Sequence, residues 1–98
     1  MKTVDRGAAL LDEEYGPAWD KKINLERLNL ASPCNCVLGQ LHPRASSPYM
    51  RGLDRLGFGH MSGKPEAHGF HVRRNGRWDN LTDAWRELIE ARRKARTA

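Results

Sequence analysis

With 98 residues the chain is long enough for one hydrophobic core and too short for two ordinary domains. Hydrophobic residues at 39% and charged residues at 30% argue against wholesale disorder while leaving a thickly charged surface. The net charge of +5 is uneven: residues 1–40 carry 5 basic and 6 acidic side chains and residues 41–98 carry 12 and 6, an asymmetry that hints at a phosphate backbone, an anionic membrane surface or an acidic protein as partner.

No apolar run approaches the roughly 20 residues a membrane helix needs, and Asp5, Asp12, Glu13 and Glu14 stand where a signal peptide would be apolar. A cytoplasmic protein without membrane contact is expected. Cys34 and Cys36 are too close in sequence for an ordinary stapling disulfide, so reduced thiols are the default.

In chain order, Thr3 can cap a first helix over Val4 to Tyr15, with Val4, Ala8, Leu11 and Tyr15 at helical spacing and Gly16-Pro17 as the stop. Trp19, Ile23, Leu25, Leu28 and Leu30 follow with mixed spacing and read as core anchors around a short helical turn between Asn24 and Leu28. Ser32-Pro33 then signals a short helix through Leu41 with Cys34, Val37, Leu38 and Leu41 inward and Cys36 pointing elsewhere.

Ser47-Pro48 repeats the device for a helix with Tyr49, Met50, Leu53 and Leu56 inward, closed by Gly57 in the left-handed conformation with Phe58 packed over that end. Three glycines, Ser62 and Pro65 predict a flexible loop over about 59–69. Phe70 to Arg74 alternates and runs into Asn75-Gly76, so a small hairpin near residues 70–78, closing at Trp78, stands beside an ordered loop as the alternative. A basic final helix over about 80–96 carries Leu81, Trp85, Leu88, Ile89 and Arg92 on one face, with Asp79 or Asn80 as cap. The predicted fold is thus mainly α: one compact domain of four to five short helices spanning residues 1–98.

The chain resembles a group of short hypothetical proteins of actinobacteria and their bacteriophages. The resemblance rests on Gly7-Ala8-Ala9-Leu10-Leu11-Asp12, Ile23-Asn24-Leu25 with Leu28, Cys36-Val37-Leu38-Gly39-Gln40-Leu41, His68-Gly69-Phe70, and Leu81 through Ile89. It departs from that pattern between Leu41 and Gly52, where the chain is longer and richer in proline. The resemblance implies a phage-related origin, in a host cytoplasm, and carries no activity with it.

A serine elbow, a phosphate loop, a His-Glu-x-x-His helix and a dinucleotide fingerprint are all missing from the sequence, and Asp12, Glu13 and Glu14 read as a solvated helix end rather than a catalytic pair. A non-enzymatic protein without a cofactor is expected. The leading expectation is binding to a partner protein, with Tyr49, Met50 and Arg51 as contact candidates in the departing segment. The alternative is nucleic-acid binding through Arg73, Arg74, Arg77, Arg92, Arg93, Lys94 and Arg96, set against the plainer reading that these cations are a solvated face favourable to their own helix. A third is a metal or redox site of Cys34, Cys36, His68 and His71, weakened because paired zinc cysteines are usually two or more residues apart. Trp19, Trp78 and Trp85 read mainly as core.

Overall fold

The computed structural model describes residues 2–58, 64–72 and 76–97. Five α-helices follow in order: α1 (Lys2–Tyr15), α2 (Val37–Leu41), α3 (Pro48–Arg55), α4 (Lys64–Ala67) and α5 (Trp78–Thr97), with a 3-10 turn at Trp19–Lys22 between the first two. No strand occurs among the described residues. The radius of gyration, 12.4 Å, matches the roughly 12.6 Å expected of a folded chain this long, so the helices form a single packed body.

The two long helices carry the apolar stripes expected of them. Val4, Ala8 and Leu11 on α1 and Leu81, Trp85 and Ile89 on α5 are buried, and the 3-10 turn sends Trp19 into the space between. Trp19 and Trp85 meet edge-on at 6.0 Å, and Phe70 stacks on the other side of Trp85 at 5.5 Å. The polar atoms of these indoles are answered inside: Trp85 Nε1 donates to the Gly69 carbonyl at 2.5 Å and Trp19 Nε1 to Asp12 Oδ1 at 2.8 Å. All three aromatic rings therefore belong to the core.

α1 and α5 lie side by side and run in the same direction. Lys2 and Thr3 face Arg77 to Leu81 across a cleft at one end, and Asp12 reaches Arg92 near the other. Parallel neighbours place both positive dipole ends together and both negative ends together.

α2 and α3 form a second, shorter layer. Helix α3 closes as the sequence predicts: Gly57 takes φ +77°, its N–H donates to Asp54 O, and the Phe58 N–H reaches back to Leu53 O at 3.0 Å, leaving Phe58 buried over the end. Its start differs. Pro48 occupies the first turn, but the Ser47 hydroxyl makes no capping bond, and Met50, expected inward, is 44% exposed while Gly52 takes the buried position against Leu38.

Ser32 opens a turn rather than a helix. Its hydroxyl accepts from the Cys34 and Asn35 amides, and α2 begins only at Val37, with Cys36 as its cap and Cys36 Sγ accepting from the Gly39 amide at 3.2 Å. This reverses the expected roles of the thiols: Cys36 is buried and Cys34 exposed. The part of the predicted loop that is described, Lys64 to Gly69, forms α4 and a turn, because Pro65 suits the start of a helix and its carbonyl then accepts the Phe70 amide at 2.8 Å. Residues 59–63 of that loop lie outside the described residues. So do Arg73, Arg74 and Asn75 of the hairpin alternative, and Trp78, expected to close it, instead opens α5. With the helix starting there, Asp79 and Asn80 lie inside its first turn rather than capping it.

Candidate functional site: a cationic cleft and an internal arginine lock

The basic side chains of α5 divide into two sets. Arg92, Arg93 and Arg96, expected to face phosphate, turn inward. Asp20, on the 3-10 turn and fully buried, accepts from Arg92 Nε at 2.5 Å and from Arg96 Nη1 at 2.5 Å and Nη2 at 2.6 Å. Arg92 also binds Asp12 Oδ1 at 2.7 Å and lies over the Trp19 ring at 5.1 Å, while Arg93 donates to the carbonyls of Asp20 and Ile23. Burial by itself would raise the Asp20 pKa, but the hydrogen bonds from Arg96 and Arg92, with their charges, outweigh it and hold the carboxyl below its ordinary value. These cations lock α5 to the start of the chain. Of the predicted α5 set, Lys94 alone makes no side-chain bond among the described residues.

Asp12 and Glu14, read from sequence as a solvated end, are likewise engaged. Asp12 is half-buried beneath Arg92, and Glu14 takes Arg55 Nε at 3.0 Å while the Arg55 guanidinium covers the Tyr15 ring.

The opposite end of the α1–α5 pair is different. A cleft of about 480 Å³ opens between the first turns of the two helices, lined by Lys2, Thr3 and Arg6 from α1, Arg77, Asn80 and Leu81 from the start of α5, and Glu66, His71 and Val72 beyond α4. Four of these side chains carry or can carry positive charge. Glu66 approaches His71 at 3.7 Å and Asp79 approaches Arg77 at 3.8 Å, whereas Lys2 and Arg6 have no ion-pair partner among the described residues.

The cations here oppose their helices. A positive side chain at a helix N-terminus is unfavourable, by about 0.3–1 kcal/mol each at exposed positions. Helix α1 bears Lys2 and Arg6 beside a single acid, Asp5, at its positive end and Asp12, Glu13 and Glu14 at its negative end, a net order opposite to what its dipole prefers. At the negative end the conflict is resolved internally by Arg92 and Arg55. At the positive end Asp5 and, on α5, Asp79 answer the dipoles in part, but neither pairs with Lys2 or Arg6 among the described residues, and local conflicts of this kind concentrate at binding sites.

Of the residues anticipated for nucleic acid, the cleft retains Arg77; Arg73 and Arg74 lie outside the described residues. Sequence reading missed Lys2, Arg6 and Asn80, although the reversed charge order along α1 is legible in the sequence itself.

The four thiol and imidazole candidates are scattered. His68 Nδ1 lies 2.9 Å from Lys64 O, its ring against Phe58, and His71 packs edge-on to Trp78 at 4.8 Å. Cys34 borders a surface pocket with Asn24 and Arg27 that neither histidine lines, and Cys36 caps α2 from within the core. No group of three or more His, Cys, Asp or Glu among the described residues is arranged to hold a metal. Burial, the dominant influence, pushes the Cys36 thiol pKa up. We therefore expect the native protein to take one equivalent of maleimide quickly, at Cys34 by peptide mass spectrometry, and a second only in denaturant; rapid labelling of Cys36 in the folded state would contradict its place in the core.

Tyr49 is half-buried, with its hydroxyl pKa pushed up to about 12 by desolvation first, then by Cys36 and Glu66, while Met50 and Arg51 are exposed beside it on α3. No helix is long and apolar enough to cross a membrane among the described residues.

Fold and surface together define a small, mainly α-helical domain with a cationic cleft at one end of its two long helices and an arginine–carboxylate lock at the other. Compared with known proteins, the chain matches no family model, no curated protein and no solved structure.

Proposed function

We propose that the protein is a small non-enzymatic binding protein that contacts the phosphate backbone of nucleic acid through the cleft between the N-terminal ends of α1 and α5. The observation that supports this reading is the gathering of Lys2, Arg6 and Arg77 at two parallel positive dipole ends, with no carboxylate lying against Lys2 or Arg6 among the described residues. A phosphate placed there gains from both dipoles and from the side chains at once. Contacts of this kind fix position without reading base edges, so binding is expected to be largely indifferent to sequence.

The test is fluorescence anisotropy of a short labelled DNA duplex across a salt series. A log-log slope near −3 is expected if three cations each displace a counterion, with Arg6→Glu and Arg77→Glu each weakening binding roughly tenfold. Binding that disappears at physiological salt, or that ignores both charge reversals, would reject the reading.

A second reading, a phage-encoded factor that binds a host protein as the sequence resemblance implies, is favoured by one observation: Met50 is the large hydrophobic side chain left exposed among the described residues.

A further inference from the structure

Of the ten arginines among the described residues, Arg6, Arg27, Arg44 and Arg51 have no side-chain partner there, and the others are held. Arg55 pairs with Glu14, Arg86 with Asp83, Arg92 and Arg96 with Asp20, and Arg93 is spent on backbone carbonyls. Arg44 and Arg51 are not held. Neither side chain has an ion-pair or hydrogen-bond partner among the described residues, and both line one open pocket of about 500 Å³ together with Leu41, His42, Pro43 and Ala45. No acidic residue lines it.

The floor of this pocket is fixed. The His42 ring is anchored by the Tyr15 hydroxyl, 2.6 Å from Nε2, and the turn that carries Arg44 is closed by the Ala45 amide on His42 O at 3.1 Å. Burial, then the charges of Arg55 and Arg51, hold the His42 pKa below its ordinary value and favour the neutral ring. Two arginines lining one pocket without a counter-charge offer it positive charge and N–H donors suited to a carboxylate. Leu41, Pro43 and Ala45 give the same pocket an apolar portion beside its two cations. A peptide can use both parts at once, a carboxylate against the cations and an apolar side chain against Leu41 and Pro43.

We propose that this pocket binds an acidic segment of a partner protein, a carboxylate going to Arg44 and Arg51 and an adjoining apolar side chain to Leu41 and Pro43. The proposal deepens the protein-partner reading and rests on it; it is independent of the cleft at the other helix ends. Charge complementarity selects this occupant over a basic or neutral peptide.

The experiment follows the protein's backbone amide and histidine ring signals by NMR while titrating an acetylated, amidated pentapeptide of four glutamates around one leucine. Shifts confined to residues 41–51 are expected, with an upward move of the His42 pKa as the bound carboxylates offset the charge of Arg51. Arg44→Gln and Arg51→Gln, both exposed and remote from the core, should each weaken binding by about tenfold, while Arg6→Glu should leave it unchanged. Peptide-induced shifts that lie elsewhere, or that survive both substitutions, would overturn the pocket assignment and leave the protein-partner reading standing. Equal shifts in residues 41–51 from a short thymidine oligonucleotide would overturn the choice of a peptide, and no shifts with either probe would overturn the site altogether.

Discussion

Replacing Asp20 by Asn should lower the unfolding free energy by about 3 kcal/mol and the thermal midpoint by roughly 15 °C. The substitution keeps the shape and one acceptor atom but removes the charge that Arg92 and Arg96 share, leaving two cations facing a buried neutral amide. For a domain whose whole stability is of order 5–15 kcal/mol, such a loss is easily read from the urea midpoint by circular dichroism. The effect also has a pH signature. Because the folded pKa of Asp20 is depressed below its ordinary 3.8, its contribution is present above that value and disappears as pH falls through the lower, folded one. The wild-type acid limb should therefore be steeper than that of Asp20→Asn. A variant within about 0.5 kcal/mol of wild type, the range of ordinary surface changes, would mean that these arginines are surface cations after all, and would return them to the pool available for phosphate.

Gly7→Ala tests the packing of α1 in the opposite direction from intuition. Helix propensity alone predicts a gain of up to about 1 kcal/mol in a helix interior. A Cβ at Gly7, however, would stand 2.1 Å from the His68 carbonyl oxygen and 3.0 Å from the Trp85 ring. The first obstacle is backbone, in the turn that also presents the Gly69 carbonyl to the Trp85 indole, and it cannot swing aside as a flexible side chain would. A net loss of about 2 kcal/mol is expected, as overpacking typically costs 1–3. A rise in the urea midpoint instead would show that α1 and the His68–Gly69 turn do not approach so closely.

The elements legible in the sequence are those in which a local pattern and the final packing agree. The stripes of α1 and α5, the stop at Gly16 and the closure at Gly57 depend on neighbours within a few residues, and each is found where its residues point. The failures are also physical. Ser32-Pro33 looks like a helix start, but the Ser32 hydroxyl is satisfied by a tight turn and the next capping group is a thiol, a residue type that propensity does not favour there. Met50 is exposed because Gly52, not a larger side chain, meets Leu38 where α2 and α3 cross.

The inward arginines were the hardest to foresee, since their partner Asp20 lies more than 70 residues away in the chain. Two signs pointed toward it: Arg92 falls on the same helical face as Trp85 and Ile89, and Asp20 sits directly after a core tryptophan. A charge on an apolar face demands a buried counter-charge. The cleft was half legible, through Arg77 and through the reversed charge order of α1, but only the parallel placement of two distant helices brings those cations to one place.

That placement has a consequence for how the protein is made. Asp12 and Asp20 are synthesised early, yet the guanidiniums that neutralise them belong to the closing turns of α5, and Trp85, at the centre of the core, comes late as well. Contacts of such long sequence separation form only after a large loop has been closed. A nascent chain that has not yet reached Arg92 to Arg96 carries Asp12 and Asp20 without the cations that neutralise them, so the lock between α5 and the earlier segments forms only once the far end of α5 is made. The lock thus forms late in the synthesis of this domain, after every residue between Asp12 and Arg96 is in place.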